Sequence, residues 1–256
     1  MYTDSHSHIQ FSWKFPDVDK VIARAIDAGV TRQVIVGCTV KDSFQALNLV
    51  KKYDDKQFWC AFGIHPHDSN QCTEETLNKF KETIKKEQKV VAIGEIGLDF
   101  FRNLQLRETQ VEAFKAQLRL AKELNLPAII HVRDAWEDAL QIIEEIGNEK
   151  VVMHCYTGSL ETARKCWEKG FLTSFTGIVT YPKNDDLRVV ASSVPEDLFM
   201  IETDCPYLPP QIYRGRRNEP AYVVETARVI GEERGCSAEE IGEITTQNAI
   251  RFFALK

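Results

Sequence analysis

Eight short apolar, β-rich runs alternate with longer amphipathic segments along the 256-residue chain. That alternation restricts the fold more than any other feature. The runs are Tyr2–His6, Gln33–Cys38, Phe58–Gly63, Val90–Glu95, Ala128–His131, Val151–His154, Phe171–Phe175 and Leu198–Thr203, each rich in strand formers. Several are apolar throughout, as expected of parallel strands covered on their outer face. Between them, 3.6-residue periodicity predicts helices over residues 18–28, 42–53, 74–86, 107–124, 135–146, 160–169, 185–191 and 221–234. A ninth spans 238–253, with Ser237 as N-cap and Glu240 closing a capping box. Eight such pairs predict a (β/α)₈ TIM barrel, with an open doubly wound sheet as the rival. No Pro/Gly/Ser-rich linker interrupts residues 1–256, so a single domain is expected.

The placement of histidine favours the barrel. All six histidines, His6, His8, His65, His67, His131 and His154, fall at or just past the end of a predicted strand. The carboxyl ends of the strands are where a barrel keeps its chemistry. His6 and His8 are two apart on a strand and face the same way, although two surface histidines near a terminus would read the same. His131 and His154 each cap an apolar strand. One such residue alone is more often a core histidine with satisfied hydrogen bonds. Two on successive strands beside Glu95 point to metal ligation. Glu95 shares strand parity with Val91 and Ile93 and should point into the barrel with them, where a carboxylate is costly unless paired or bound to a cation. Asp204 ends the eighth strand. Glu202 shares its parity, so two carboxylates enter the barrel unless a bulge intervenes.

The reading is therefore a site for two divalent cations. One takes His6, His8, Asp204 and one oxygen of Glu95. The other takes His131, His154 and the second oxygen of Glu95. Asp204 and Glu95 are the expected catalytic groups, Asp204 as proton acceptor. Mg, Mn and Zn all fit the donor types. On the substrate side the expectation is His65, Arg133, Arg214, Arg216 and Arg217, with Phe100, Phe101 and Tyr207 as stacking surfaces for bases. The net charge of −6 argues against a protein that coats nucleic acid electrostatically. Seven cysteines without a C-x-x-C read as free thiols in a reducing compartment. No apolar run is long enough for a membrane helix. The cytoplasm is the expected location, with neither membrane nor obligate protein partner.

Seven ordered motifs carry a resemblance: Asp4-Ser-His-Ser-His8, Gly63-Ile-His-Pro-His67, Gly94-Glu-Ile-Gly-Leu-Asp99, Ile130-His-Val-Arg133, His154-Cys-Tyr-Thr-Gly158, Glu202-Thr-Asp-Cys-Pro-Tyr-Leu208 and Arg214-Gly-Arg-Arg-Asn-Glu-Pro220. The chain resembles the TatD family of metal-dependent deoxyribonucleases, in the amidohydrolase superfamily, over nearly its whole length. The resemblance implies a TIM barrel, divalent metals and hydrolysis of DNA phosphodiesters (RNA being the other nucleic acid to consider), as a 3'-5' exonuclease. Ile9-Gln10 departs from the Leu and frequent Asp of that family, and the difference is expected at the pocket rim. Two alternatives stay open: a superfamily hydrolase acting on a C–N bond, a lactone or another phosphoester, and a non-catalytic metal-binding scaffold.

Overall fold

The computed structural model describes residues 1–256. Eight parallel strands form one sheet in sequence order: β1 (Tyr2–Ser7), β2 (Val30–Val36), β3 (Gln57–Phe62), β4 (Val90–Asp99), β5 (Ala128–Arg133), β6 (Val151–Met153), β7 (Leu172–Phe175) and β8 (Phe199–Ile201). The helices are α1 (Val18–Asp27), α2 (Val40–Lys52), α3 (Glu74–Ile84), α4 (Arg107–Leu124), α5 (Trp136–Ile146), α6 (Leu160–Glu168), α7 (Asp185–Ser193), α8 (Val223–Arg234) and α9 (Ala238–Phe253). Consecutive strands pair all the way round, which excludes the doubly wound sheet, whose order reverses at a switch point.

Helix starts and stops follow local chemistry. The side chains of Thr39, Thr73 and Ser159 accept hydrogen bonds from the backbone at the starts of α2, α3 and α6. Ser237 and Glu240 form the expected capping box at α9. Asn125, Gly147 and Gly235 end α4, α5 and α8 in the left-handed conformation.

Two apolar clusters divide the interior. The larger lies between strands and helices and includes Ile35, Phe62, Ile93, Ile130, Phe175 and Phe199. The smaller fills the barrel, with Val34, Trp59, Val91, Ile129, Val152, Leu172 and Met200, and meets Phe253 and Leu255 from the end of the chain. α9 is tied across that end: Asn248 donates to the carbonyls of Phe199 at 2.8 Å and Glu196 at 2.7 Å, and Thr3 and Thr246 share a hydroxyl hydrogen bond at 3.0 Å. The opposite, carboxyl end of the strands stays free for polar side chains.

The parity expected for β4 is corrected. Ile93 packs in the outer cluster, not inside with Val91. Ile93 pairs with Ala128 while Ile96 pairs with Ile130, so the register shifts between them. The irregularity lets Glu95 face inward two residues after an outward Ile93. Close strand approach there needs glycine: a Cβ on Gly97, at φ +144°, would lie 2.0 Å from the His131 carbonyl oxygen.

The seam between β8 and β1 closes through a parallel bridge from Ser7 to Cys205. Asp204 N–H donates to the His6 carbonyl and His8 N–H to the Cys205 carbonyl, each at 2.9 Å. Asp4 is buried and accepts from Thr203 twice, from N–H at 2.9 Å and from the hydroxyl at 2.6 Å. Barrel closure thereby sets His6, His8 and Asp204 side by side.

Candidate metal centre

At the seam, His6 Nε2 and His8 Nε2 stand 3.2 Å apart. Asp204 Oδ1 is 3.2 Å from His8 Nε2 and 3.9 Å from His6 Nε2. Asp204 sits at φ +54°, a left-handed conformation that Asp and Asn adopt more readily than most residues. This backbone turns the carboxylate back over the strand ends.

Glu95 is buried between two sets of imidazoles. Its Oε2 lies 3.5 Å from His6 Nε2 and 3.9 Å from His8 Nε2. Its Oε1 lies 2.8 Å from His131 Nδ1, 3.4 Å from His154 Nε2 and 3.5 Å from His65 Nε2. The structure thus brings His6, His8, Glu95, His131, His154 and Asp204 together, and the two oxygens of Glu95 face different sets. The rings of His6 and His154 stack at 3.7 Å between centroids, so the two sets adjoin. Burial would raise the Glu95 carboxyl, but His154 and His65, with hydrogen bonds from His131 and His6, hold it well below the usual carboxylate range. Burial would likewise raise Asp204, yet His8, His154 and His6 hold it below its ordinary value.

The donor set suits a divalent cation. Two imidazole nitrogens 3.2 Å apart share one hydrogen at most, and carboxylates add only acceptors. His6, His8 and Asp204 offer ligand atoms within 4.8 Å of one another, as do His6, Glu95 and His154, and His65, Glu95 and His131. Imidazole and carboxylate donors without a full thiolate set are those of catalytic sites that keep open positions.

Four orienting contacts escaped the sequence reading. Glu202 enters the barrel alongside Asp204 with no bulge to turn it out. Its Oε1 lies 2.7 Å from His154 Nδ1 and accepts from Cys155 N–H at 2.7 Å, while Ser174 donates to Oε2 at 2.6 Å. Asp99 Oδ2 lies 2.7 Å from His67 Nε2 and 3.5 Å from His131 Nε2. The Val36 carbonyl lies 2.8 Å from His8 Nδ1 and also accepts from Gln10 at 2.7 Å. Ile9 and Gln10, expected at the pocket rim, are buried past the end of β1, with Gln10 sharing the Val36 carbonyl with His8. Cys38 Sγ is 3.7 Å from Glu95 Oε2 and 3.8 Å from His8 Nδ1. The shared parity of Glu202 and Asp204 was the one available signal. Partners of this kind fix the tautomer and ring orientation of an imidazole ligand. Glu202→Gln is expected to weaken metal binding about 10- to 100-fold, measured by competition with a chromophoric chelator. An unchanged affinity would remove Glu202 from the site.

The residues expected on the substrate side divide. His65 belongs to the cluster: its Nδ1 accepts from His67 N–H at 3.1 Å, so the neutral ring carries its proton on Nε2, toward Glu95. Burial holds it neutral, well below its usual value. Arg133 ends β5 with its guanidinium 4.0 Å over the Phe101 ring. Arg214 lies 4.5 Å over Tyr181, and Arg216 is exposed. Arg217 is turned elsewhere, donating to Asp17 at 2.7 and 3.1 Å and to the Lys14 carbonyl at 2.7 Å. The expectation of a free phosphate-binding arginine at 217 is corrected accordingly, because a partner outside its motif engages it. Tyr207 and Phe101 are exposed at the mouth, whereas Phe100 packs under Arg107.

A model of the TatD-related DNase family matches residues 3–254. The metal-dependent hydrolase YabD of Bacillus subtilis is 43% identical over 257 residues, covering 100% of both chains. The 3'-5' ssDNA/RNA exonuclease TatD of Shigella flexneri is 38% identical over 246 residues, covering 93% of this chain and 94% of that one. The crystal structure of YjjV, a TatD homolog from Escherichia coli K12, superposes with a TM-score of 0.92 at 28% identity, over 100% of this chain and 98% of the other. A match along nearly the full length joins a barrel whose strand ends converge on one histidine–carboxylate cluster, and the chain belongs to the TatD-related DNase family.

Proposed function

We propose that residues 1–256 act as one catalytic domain, a metal-dependent hydrolase that cleaves phosphodiester bonds of single-stranded DNA or RNA from the 3' end. The observation that carries this reading is Glu95, whose two oxygens face separate sets of imidazoles. His6, His8, Asp204 and Glu95 Oε2 would hold one cation, and His131, His154 and Glu95 Oε1 the other, with Mg, Mn and Zn as the candidates. Divalent cations held there supply Lewis acidity, making a nucleophile from water at neutral pH and offsetting charge on the phosphoryl oxygens. Asp204, held below its ordinary carboxyl value beside His8, would serve as the proton acceptor for a water at the site. His65 and Glu202 hold Glu95 and His154 in place. Arg133, Arg214 and Arg216 at the mouth provide charge and bidentate donors for phosphate. The choice of nucleic acid and of polarity rests on relatives named 3'-5' ssDNA/RNA exonuclease TatD. Seven free cysteines support a reducing, cytoplasmic setting, and no helix is long and apolar enough to cross a membrane.

The test is cleavage of end-labelled single- and double-stranded DNA, with and without chelator, beside model amides and lactones. Stepwise shortening from the 3' end of the single strand is expected, abolished by chelator and restored by added cation. Turnover of the amides or lactones alone would overturn the reading.

A further inference from the structure

The loop between β1 and α1 places a tryptophan in solvent beside the proposed metal centre. Trp13 is 70% exposed, although its large apolar ring makes tryptophan among the more deeply buried residues on average. It continues a series of rings that begins at a proposed ligand. Phe11 stacks on His8 at 5.1 Å between centroids and 4° between planes, and Trp13 follows Phe11 at 6.3 Å and 23°. The near-parallel planes thus run from the centre outward, and the outermost ring stands largely in solvent.

The loop is held in place. Phe11 and Lys14 close hydrogen-bonded turns onto His8 and Phe11, and Phe15 is buried as an anchor, 1% exposed. Arg217 donates to the Lys14 carbonyl and lies 4.6 Å over the Phe15 ring. That pairing joins the aromatic loop to the basic loop carrying Arg214 and Arg216. The Lys14 ammonium stands 4.5 Å from the Trp13 ring centre. A solvent-facing aromatic ring with one ammonium beside it matches what a single strand offers: a base plane to stack and a phosphate next to it. Bases within a duplex already stack on their neighbours and have no face free for such a platform.

We infer that Trp13 is a stacking platform for an unpaired nucleobase, positioning single-stranded substrate at the mouth of the centre. The inference rests on the phosphodiesterase reading for its substrate class and on the ring series for its location. It differs from Tyr207, whose ring meets His8 edge-on, and from Phe101, which pairs with Arg133 and stands outside the ring series that starts at His8.

The test uses the full metal-loaded chain and a short phosphorothioate-linked oligothymidylate, which resists cleavage. Saturable quenching of tryptophan emission is expected, and Trp13→Phe should remove that signal while keeping affinity within about threefold of wild type. Trp13→Ala should raise the oligonucleotide Kd, read by anisotropy of an end-labelled strand, about tenfold. With cleavable oligonucleotide, the Trp13→Ala loss should fall on KM. Its kcat/KM relative to that on bis(p-nitrophenyl) phosphate, which has no base, should drop about tenfold. Absence of quenching, or an Ala variant with wild-type Kd, overturns the inference. Wild-type protein that binds the strand but cleaves no oligonucleotide would instead sink the nuclease reading, with the Trp13 binding result standing on its own.

Discussion

Replacing Asp204 with asparagine is expected to lower kcat by about a thousandfold, within the range for losing a positioned general base, while most of the bound metal stays. Asparagine is the informative change because the residue occupies a left-handed backbone position, φ +54°, which Asn tolerates as well as Asp does. The amide oxygen can still face His8 as Oδ1 does at 3.2 Å, so the shape of the site survives. What is lost is the charge and the capacity to take a proton. Measuring kcat beside metal content by plasma mass spectrometry separates the two. Activity near wild type would remove Asp204 from proton transfer, and complete loss of metal would make it a ligand alone.

Glu95→Gln should have a comparably large effect by a different route. One carboxylate lies within 4 Å of five imidazoles, His6, His8, His65, His131 and His154. An amide keeps one oxygen and replaces the other with a donor, which meets either His6 and His8 or His131 and His154 with hydrogens in place of a lone pair. Metal content should fall from two per chain to at most one. The rate should fall by about 10³ or more, since a bound cation supplies several kcal/mol of stabilisation to developing charge and each 1.36 kcal/mol is tenfold. Two equivalents of metal retained with full turnover would refute the bridging role.

Most of the architecture was legible in the sequence because a parallel barrel repeats one simple pattern. The strand runs and helical periods all appear near their expected places. The edges moved where pairing decides them: the run expected at Gln33–Cys38 is paired over Val30–Val36, and Val90–Glu95 extends to Asp99. The six converging donors were legible because strand ends are the one place a barrel gathers distant residues. Parity alone gave the right direction for Glu95 through a wrong premise, since Ile93 faces outward and a register shift restores the balance. No local pattern encodes that shift. Nor could sequence assign Glu202 to His154, Asp99 to His131 or Arg217 to Asp17. Those partners are far apart along the chain, and only closed strand pairing determines who meets whom. Trp13 was silent for the same reason, as its significance depends on the rings of His8 and Phe11 lying nearly parallel to it.

Anomalous diffraction from crystals soaked in manganese or zinc bears most directly on the division of the site by Glu95. Two peaks are expected, one among His6, His8, Asp204 and Glu95 Oε2, the other among His131, His154 and Glu95 Oε1. A lone peak away from Glu95, or none at this cluster while metal binds elsewhere, would contradict it.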